Sequence, residues 1–153
     1  MDDRHRALLD DMELALRSEL GARALYPLLR RLCRDPELKR VLERLAEDER
    51  ELVDRVRGLM TELGADPRKG SLRRRLAAWA VAGATLVVGL RFALRLCQDA
   101  ESAVSRWYMA YRAYFAELGD RPRAEECERL AQMKTRHASW LETWVQNVPF
   151  RRL

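Results

Sequence analysis

The sequence predicts an all-α protein: an antiparallel four-helix bundle made of two helix hairpins joined by a long, partly helical crossover. Three observations carry this. Apolar residues recur at alternating three- and four-residue steps along four long segments, the spacing of one helix face. Glycine and proline gather at the joints between those segments, at Pro36, Gly64 with Pro67, and Gly119 with Pro122. A short repeat, Glu43-Arg44-Leu45-Ala46 and Glu128-Arg129-Leu130-Ala131, sets the two halves in register.

Helix 1 is expected from about Asp3 to Cys33, with Leu8, Met12, Ala15, Ala22, Tyr26 and Leu29 on its buried stripe. The Arg34-Asp35-Pro36 turn ends it, and Pro36 suits the first position of the next helix, where no backbone donor is needed. Helix 2 carries Leu38, Leu42, Leu45, Leu52, Val56 and Leu59 to about Leu63 and stops at Gly64, a residue suited to the left-handed C′ position. Helix 3 bears Val87, Leu90, Leu94, Cys97, Val104, Tyr108 and Phe115 and ends at Gly119-Asp120-Arg121-Pro122. Helix 4 is expected from about Arg123 to Gln146, with Cys127, Leu130, Leu141 and Trp144 inward. The connection between helices 2 and 3, about residues 65–88, is too long for a hairpin loop. It holds Arg73-Arg74-Arg75 and then an almost wholly apolar run from Ala77 to Leu90, too short and too rich in small residues for a convincing membrane span. Three readings stay open for it: a crossover packed on the bundle, a subunit interface, or an amphipathic segment whose arginines meet anionic lipid.

Each stripe is interrupted by polar residues. Glu19, Glu49 and Glu101 fall on the apolar faces of helices 1, 2 and 3, and Lys134 and His137 fall on that of helix 4. An unpaired buried charge costs several kcal/mol, so these groups must meet each other or a metal. The repeat puts Glu49 opposite Lys134 and Leu52 opposite His137. Helices 1 and 3 match likewise, since Tyr26 follows Glu19, and Tyr108 follows Glu101, by seven residues. At about 1.5 Å per residue, Glu19 and Glu49 both stand roughly 20 Å from their shared turn, so one polar layer should cross the bundle centre. Three carboxylates near one amine leave excess negative charge, so at least one should hold a proton or share it with His137. Tyr26 and Tyr108 read as core tyrosines hydrogen-bonded to a neighbouring carboxylate. Asp48, Glu51 and Asp54 read as solvent-facing, Trp107, Trp140 and Trp144 as packing or interface residues, and His5 carries no chemical signal.

Composition narrows the classes further. A chain of 153 residues suffices for a single domain, 1–153, with a full core. The net charge of +5 is modest and reads as spread along the chain, and no aromatic-plus-basic motif or zinc spacing supports nucleic-acid binding. Cys33, Cys97 and Cys127 are odd in number and far apart, which fits small buried hydrophobes in a reducing, cytoplasmic setting. The first residues lack a signal peptide's apolar core. No nucleophile triad, phosphate-binding loop or dinucleotide glycine pattern occurs.

From about Leu8 to Trp144 this layout resembles the ferritin-like superfamily, nearest to rubrerythrin-type domains and the demethoxyubiquinone hydroxylase branch. That resemblance implies a Glu from helices 1 and 3 and a Glu-x-x-His pair from helices 2 and 4, together holding two metals. Glu19 and Glu101 occupy the single-Glu positions. Glu49 to Leu52 resembles the helix 2 pair with leucine in place of histidine, and Lys134 to His137 resembles the helix 4 pair with lysine in place of glutamate. Leucine offers no ligand atom, and an ammonium has no lone pair. The two departures argue against a complete di-iron centre.

Three readings of the layer follow. In the first, Lys134 replaces the metal charge and the protein is a non-catalytic structural or interaction member of the superfamily. In the second, Glu49, Glu101 and His137 hold a single iron or manganese ion while Lys134 swings aside. In the third, a shifted register supplies the missing ligands from Asp48, Glu51 or Asp54, and the protein is a mono- or di-metal oxidoreductase or an iron-handling protein. A homo-oligomer and a peripheral association with anionic membrane through Arg73, Arg74 and Arg75 are the expected partners.

Overall fold

The computed structural model describes residues 3–67, 80, 82–84 and 88–147. Four long helices account for nearly all of them: α1 (Asp3–Leu32), α2 (Pro36–Glu62), α3 (Leu90–Glu117) and α4 (Arg121–Asn147). The joints behave as their residues dictate. Asp35 caps α2, accepting from the Glu37 and Leu38 amides at 2.8 and 3.0 Å, with Pro36 at the first helical position. At the end of α2, Gly64 adopts φ 84° while Ala65 N–H returns to the Met60 carbonyl and Gly64 N–H to that of Thr61. Gly119, at φ 73°, closes α3 with the same pair of bonds from Asp120 and Gly119 to Phe115 and Ala116. Asp120 then accepts from the Arg123 amide, so α4 begins two residues earlier than the proline alone suggests. α3 begins at Leu90, after Gly89 at φ 101°; Val87 lies outside the described residues.

Hairpin partners pack closest, α1 on α2 and α3 on α4, while α1 also meets α3 and α2 meets α4. Cross-bundle bonds give the directions. Tyr26 reaches Glu101 and Tyr108 reaches Glu19, so α1 and α3 run oppositely. Arg55 reaches Glu126 while Glu49 reaches Lys134, so α2 and α4 also run oppositely. Every adjacent pair is therefore antiparallel, and α2 and α3 run the same way across the diagonal. The connection between them must return the chain along the bundle, about 40 Å for a helix of this length. Most of that crossover lies outside the described residues, including Arg73, Arg74 and Arg75. Of its described residues, Ala82 is helical and buried against the α3 end of the core.

The core is in two parts. One gathers Met12, Leu52, Val56, Tyr108, Phe115 and Leu130; the other gathers Tyr26, Leu29, Leu42, Leu45, Leu94 and Leu141. Each fully buried side chain of this size contributes about 1.5–3 kcal/mol, so the two clusters dominate the folding energy. Between them sits a layer of buried charge. All three cysteines are free and buried, Cys127 in the first cluster and Cys33 and Cys97 in the second.

Candidate metal centre

Helix periodicity brings one acid from each of α1, α2 and α3 to the middle of the bundle and two nitrogen side chains from α4. Glu19, Glu49, Glu101, Lys134 and His137 are each no more than 2% exposed. The Lys134 ammonium is the hub. It donates to Glu19 Oε2 at 2.6 Å and to Glu49 Oε1 at 2.8 Å, and stands 2.6 Å from Glu101 Oε2 without hydrogen-bond alignment. Its bond to Glu19 crosses the bundle diagonal, which a four-carbon stem allows.

His137 forms the second half of the layer. Nδ1 stands 3.3 Å from Glu49 Oε1 and 3.4 Å from Glu101 Oε2, close enough for strong attraction but not aligned for a hydrogen bond. Nε2 points the other way, to Asp48 Oδ2 at 3.1 Å. Asp48 is buried and does not face solvent as its place in an acidic run suggests; Glu51 and Asp54 are exposed as expected. The physical reason is His137 itself, whose second nitrogen is fully buried and takes its partner from the facing helix. Arg44, one turn earlier on α2, covers the outer side of Asp48 at 3.1 Å. Trp140 stacks on the imidazole, its ring centroid 5.8 Å away.

The tyrosines complete the layer, and they do so crosswise. Tyr26 on α1 donates to Glu101 on α3, and Tyr108 on α3 donates to Glu19 on α1, the latter at 2.7 Å. Seven residues along one helix are about 10 Å, too far for a bond to the acid on the same stripe. The antiparallel neighbour supplies the acid at the right level. Burial and the adjacent carboxylates push both hydroxyls well above the usual phenol range, so they remain donors.

Charge in the layer divides unevenly among the acids. Burial raises Glu49 well above the usual carboxylate range, and Glu19 reinforces it against the pull of Lys134, so Glu49 is the acid that most readily holds a proton. Burial also acts on Glu101, but Lys134 and His137 together overcome it and hold that carboxyl at about 2. Burial lowers His137, yet Glu101 and Glu49 outweigh it and lift the ring to about 9, so it is an imidazolium at neutral pH. Lys134 is raised well above its ordinary value by the three carboxylates against its own burial. A proton on one acid therefore relieves the surplus of negative charge.

Three buried atoms of the layer make no aligned hydrogen bond, Glu49 Oε2, Glu101 Oε2 and His137 Nδ1, although Glu101 Oε2 is ion-paired with Lys134 and Nδ1 with both acids. They belong to the three residues whose potential ligand atoms lie within 4.8 Å of one another. Two carboxylates and one imidazole from three helices, each with a buried atom that makes no aligned hydrogen bond, could hold one cation. The residues do not fit two cations. Leu52, fully buried, offers no donor, and the Lys134 ammonium fills the space between Glu19, Glu49 and Glu101.

No family model, curated protein or solved structure matches this chain.

Proposed function

We propose that this chain is a ferritin-like bundle in which half of a dinuclear centre has become a lysine salt bridge and the other half remains as a weak, single-cation site. Lys134 stands in for one metal and its charge. Glu49, Glu101 and His137 form the remaining two-carboxylate, one-imidazole set, suited to iron or manganese. The role is structural or cation-binding, with no catalytic step assigned. The observation that carries this reading is that the three clustered ligand residues each keep a buried atom without an aligned hydrogen bond. Asp48 holds Nε2 of His137, which leaves Nδ1 as the nitrogen turned toward the two acids, and a bound cation would take the place of its proton. Paired-metal oxygen chemistry is not favoured, because Leu52 and Lys134 remove two of the six donors that the superfamily supplies.

Elemental analysis of protein purified without chelators and supplied with iron or manganese tests the proposal. About one equivalent should be retained, and His137→Ala or Glu101→Gln should abolish it. Retention below about a tenth of an equivalent by the folded wild-type protein would leave only the metal-free salt-bridge layer.

A further inference from the structure

The N-terminal half of α3 carries a surface that the bundle does not use. Phe92 and Leu96 stand one turn apart on one face of α3, 50% and 44% exposed, and Val88, just before the Gly89 cap, is 57% exposed beside Phe92. Arg91 and Arg95 run alongside at the same spacing, and with Val88, Phe92 and Val145 they line a shallow depression of about 370 Å³. Single exposed apolar residues are ordinary, but an aligned row beside arginines is the pattern of a docking face.

The sequence around this row says what kind of partner it fits. Between Asp66 and Asp99 lie 32 residues without one Asp or Glu, although the chain holds 24 such acids in 153 residues. The same stretch contains seven Lys and Arg, Arg91 and Arg95 among them. With a whole-chain charge of +5, everything outside it therefore sums to −2. The positive charge is not spread evenly, as composition alone suggests, but concentrated in the part of the chain that leads into the apolar row. Arg95 pairs with Asp99 at 3.4 Å, both groups more than 60% exposed, so the pair is screened by solvent and easily exchanged for another partner.

We infer that this face of α3 docks on an anionic lipid surface, with Phe92 and Leu96 entering the headgroup boundary and the arginines meeting lipid phosphates and carboxylates. An acidic protein partner would satisfy the charge but would not by itself call for Val88, Phe92 and Leu96 to be exposed together. Lipid satisfies both. Among the described residues no helix is long and apolar enough to cross a membrane.

Flotation of the full chain with phosphatidylcholine vesicles, with and without phosphatidylserine, tests this. Binding is expected only with phosphatidylserine and should fall as salt is raised from about 0.05 M to about 0.5 M. Phe92→Ser with Leu96→Ser, both at exposed positions, should weaken partitioning about tenfold or more, while Phe92→Trp should retain it. The inference is overturned if the wild-type chain stays with the unbound fraction on anionic vesicles. It is equally overturned if the double serine variant, shown folded by circular dichroism, floats as the wild type does. A wild-type dimer that the double variant converts to monomer, without vesicle binding, would assign the face to a second copy instead.

Discussion

Tyr26 of α1 donates its hydroxyl to Glu101 of α3, and the pseudo-twofold that relates the hairpins repeats the bond as Tyr108 to Glu19. Glu101 also faces Lys134 and His137, and Glu19 also accepts from Lys134. Tyr26→Phe and Tyr108→Phe therefore each remove one donor from a buried acid without opening a large cavity. Each should cost about 1–3 kcal/mol in urea denaturation, with an unchanged slope. If either substitution proves neutral, the crossed bonds do not contribute to stability.

Lys134 holds three buried carboxylates together, so its loss should exceed that of either tyrosine. Lys134→Met keeps the stem and removes the charge, leaving buried acids without their cation. The expected cost is about 3–5 kcal/mol at neutral pH. The deficit should shrink in mild acid, where the acids take up protons, including Glu101, whose low value depends on Lys134. Parallel denaturation of wild type and variant at acidic and neutral pH reads this directly. A deficit that stays constant between them would mean that packing, not charge, is what Lys134 supplies.

The stability profile of the wild-type protein should fall on the alkaline side. His137 is lifted from 6.5 to about 9 in the fold, so its contribution is complete below about 6.5 and disappears as pH rises through about 9. That contribution is about 3 kcal/mol at most. Glu49, also raised, acts in the same direction, because its ionisation on the way up adds uncompensated charge to the layer. Glu101 works in the opposite sense. Held at about 2, it stabilises above its ordinary value of 4.5 and loses that contribution only as pH falls through about 2. Melting temperature followed from pH 6 to 10 should decline in the wild type and decline less steeply in His137→Gln, where only the other raised groups remain.

Much of this was legible in the residues before any coordinates, and the exceptions have specific causes. Three-four periodicity placed Glu19, Glu49, Glu101, Lys134 and His137 together because a charge on an apolar stripe has only the core to point into. Asp48 escaped the same counting because it sits one residue off that stripe, at an edge position buried by the neighbouring helix and not by its own face. The signal for it was indirect: a buried imidazole has two nitrogens, and the second requires a partner on the facing helix. The crossed tyrosine bonds were also hidden, since periodicity along one chain does not reveal which level of an antiparallel neighbour lies opposite. The exposed row on α3 was obscured differently. Its residues share the same apolar vocabulary as the core stripe, and only burial separates Phe92 and Leu96 from Leu94.

Asp48 consequently carries a prediction of its own. It fixes Nε2 of His137 and so orients the ring toward Glu49 and Glu101. Asp48→Asn preserves size and one acceptor while removing the charge, and Asp48→Ala removes both. Cation affinity at Glu49, Glu101 and His137 should weaken about 10–100-fold in the alanine variant and less in the asparagine variant. Isothermal titration with manganese measures the order. Equal affinities in all three proteins would show that the ring needs no outer support.

The internal repeat also specifies which substitutions test the proposed link to a two-metal centre. Leu52 corresponds to His137, and Lys134 corresponds to Glu49, so two substitutions would give both halves the same donor residues. Lys134→Glu alone should be strongly destabilising without metal, because it replaces the cation between Glu19, Glu49 and Glu101 by another buried acid. Leu52→His alone should place an unpartnered imidazole in an apolar cluster, since Met133, which packs against that cluster, stands where Asp48 stands in the other half. Together, with iron or manganese supplied, the two substitutions complete a donor set for two ions. The double variant should bind about two equivalents, and each metal should raise its melting temperature. A folded double variant that takes up no more metal than the wild-type chain would overturn the proposed equivalence of Lys134 with a metal position.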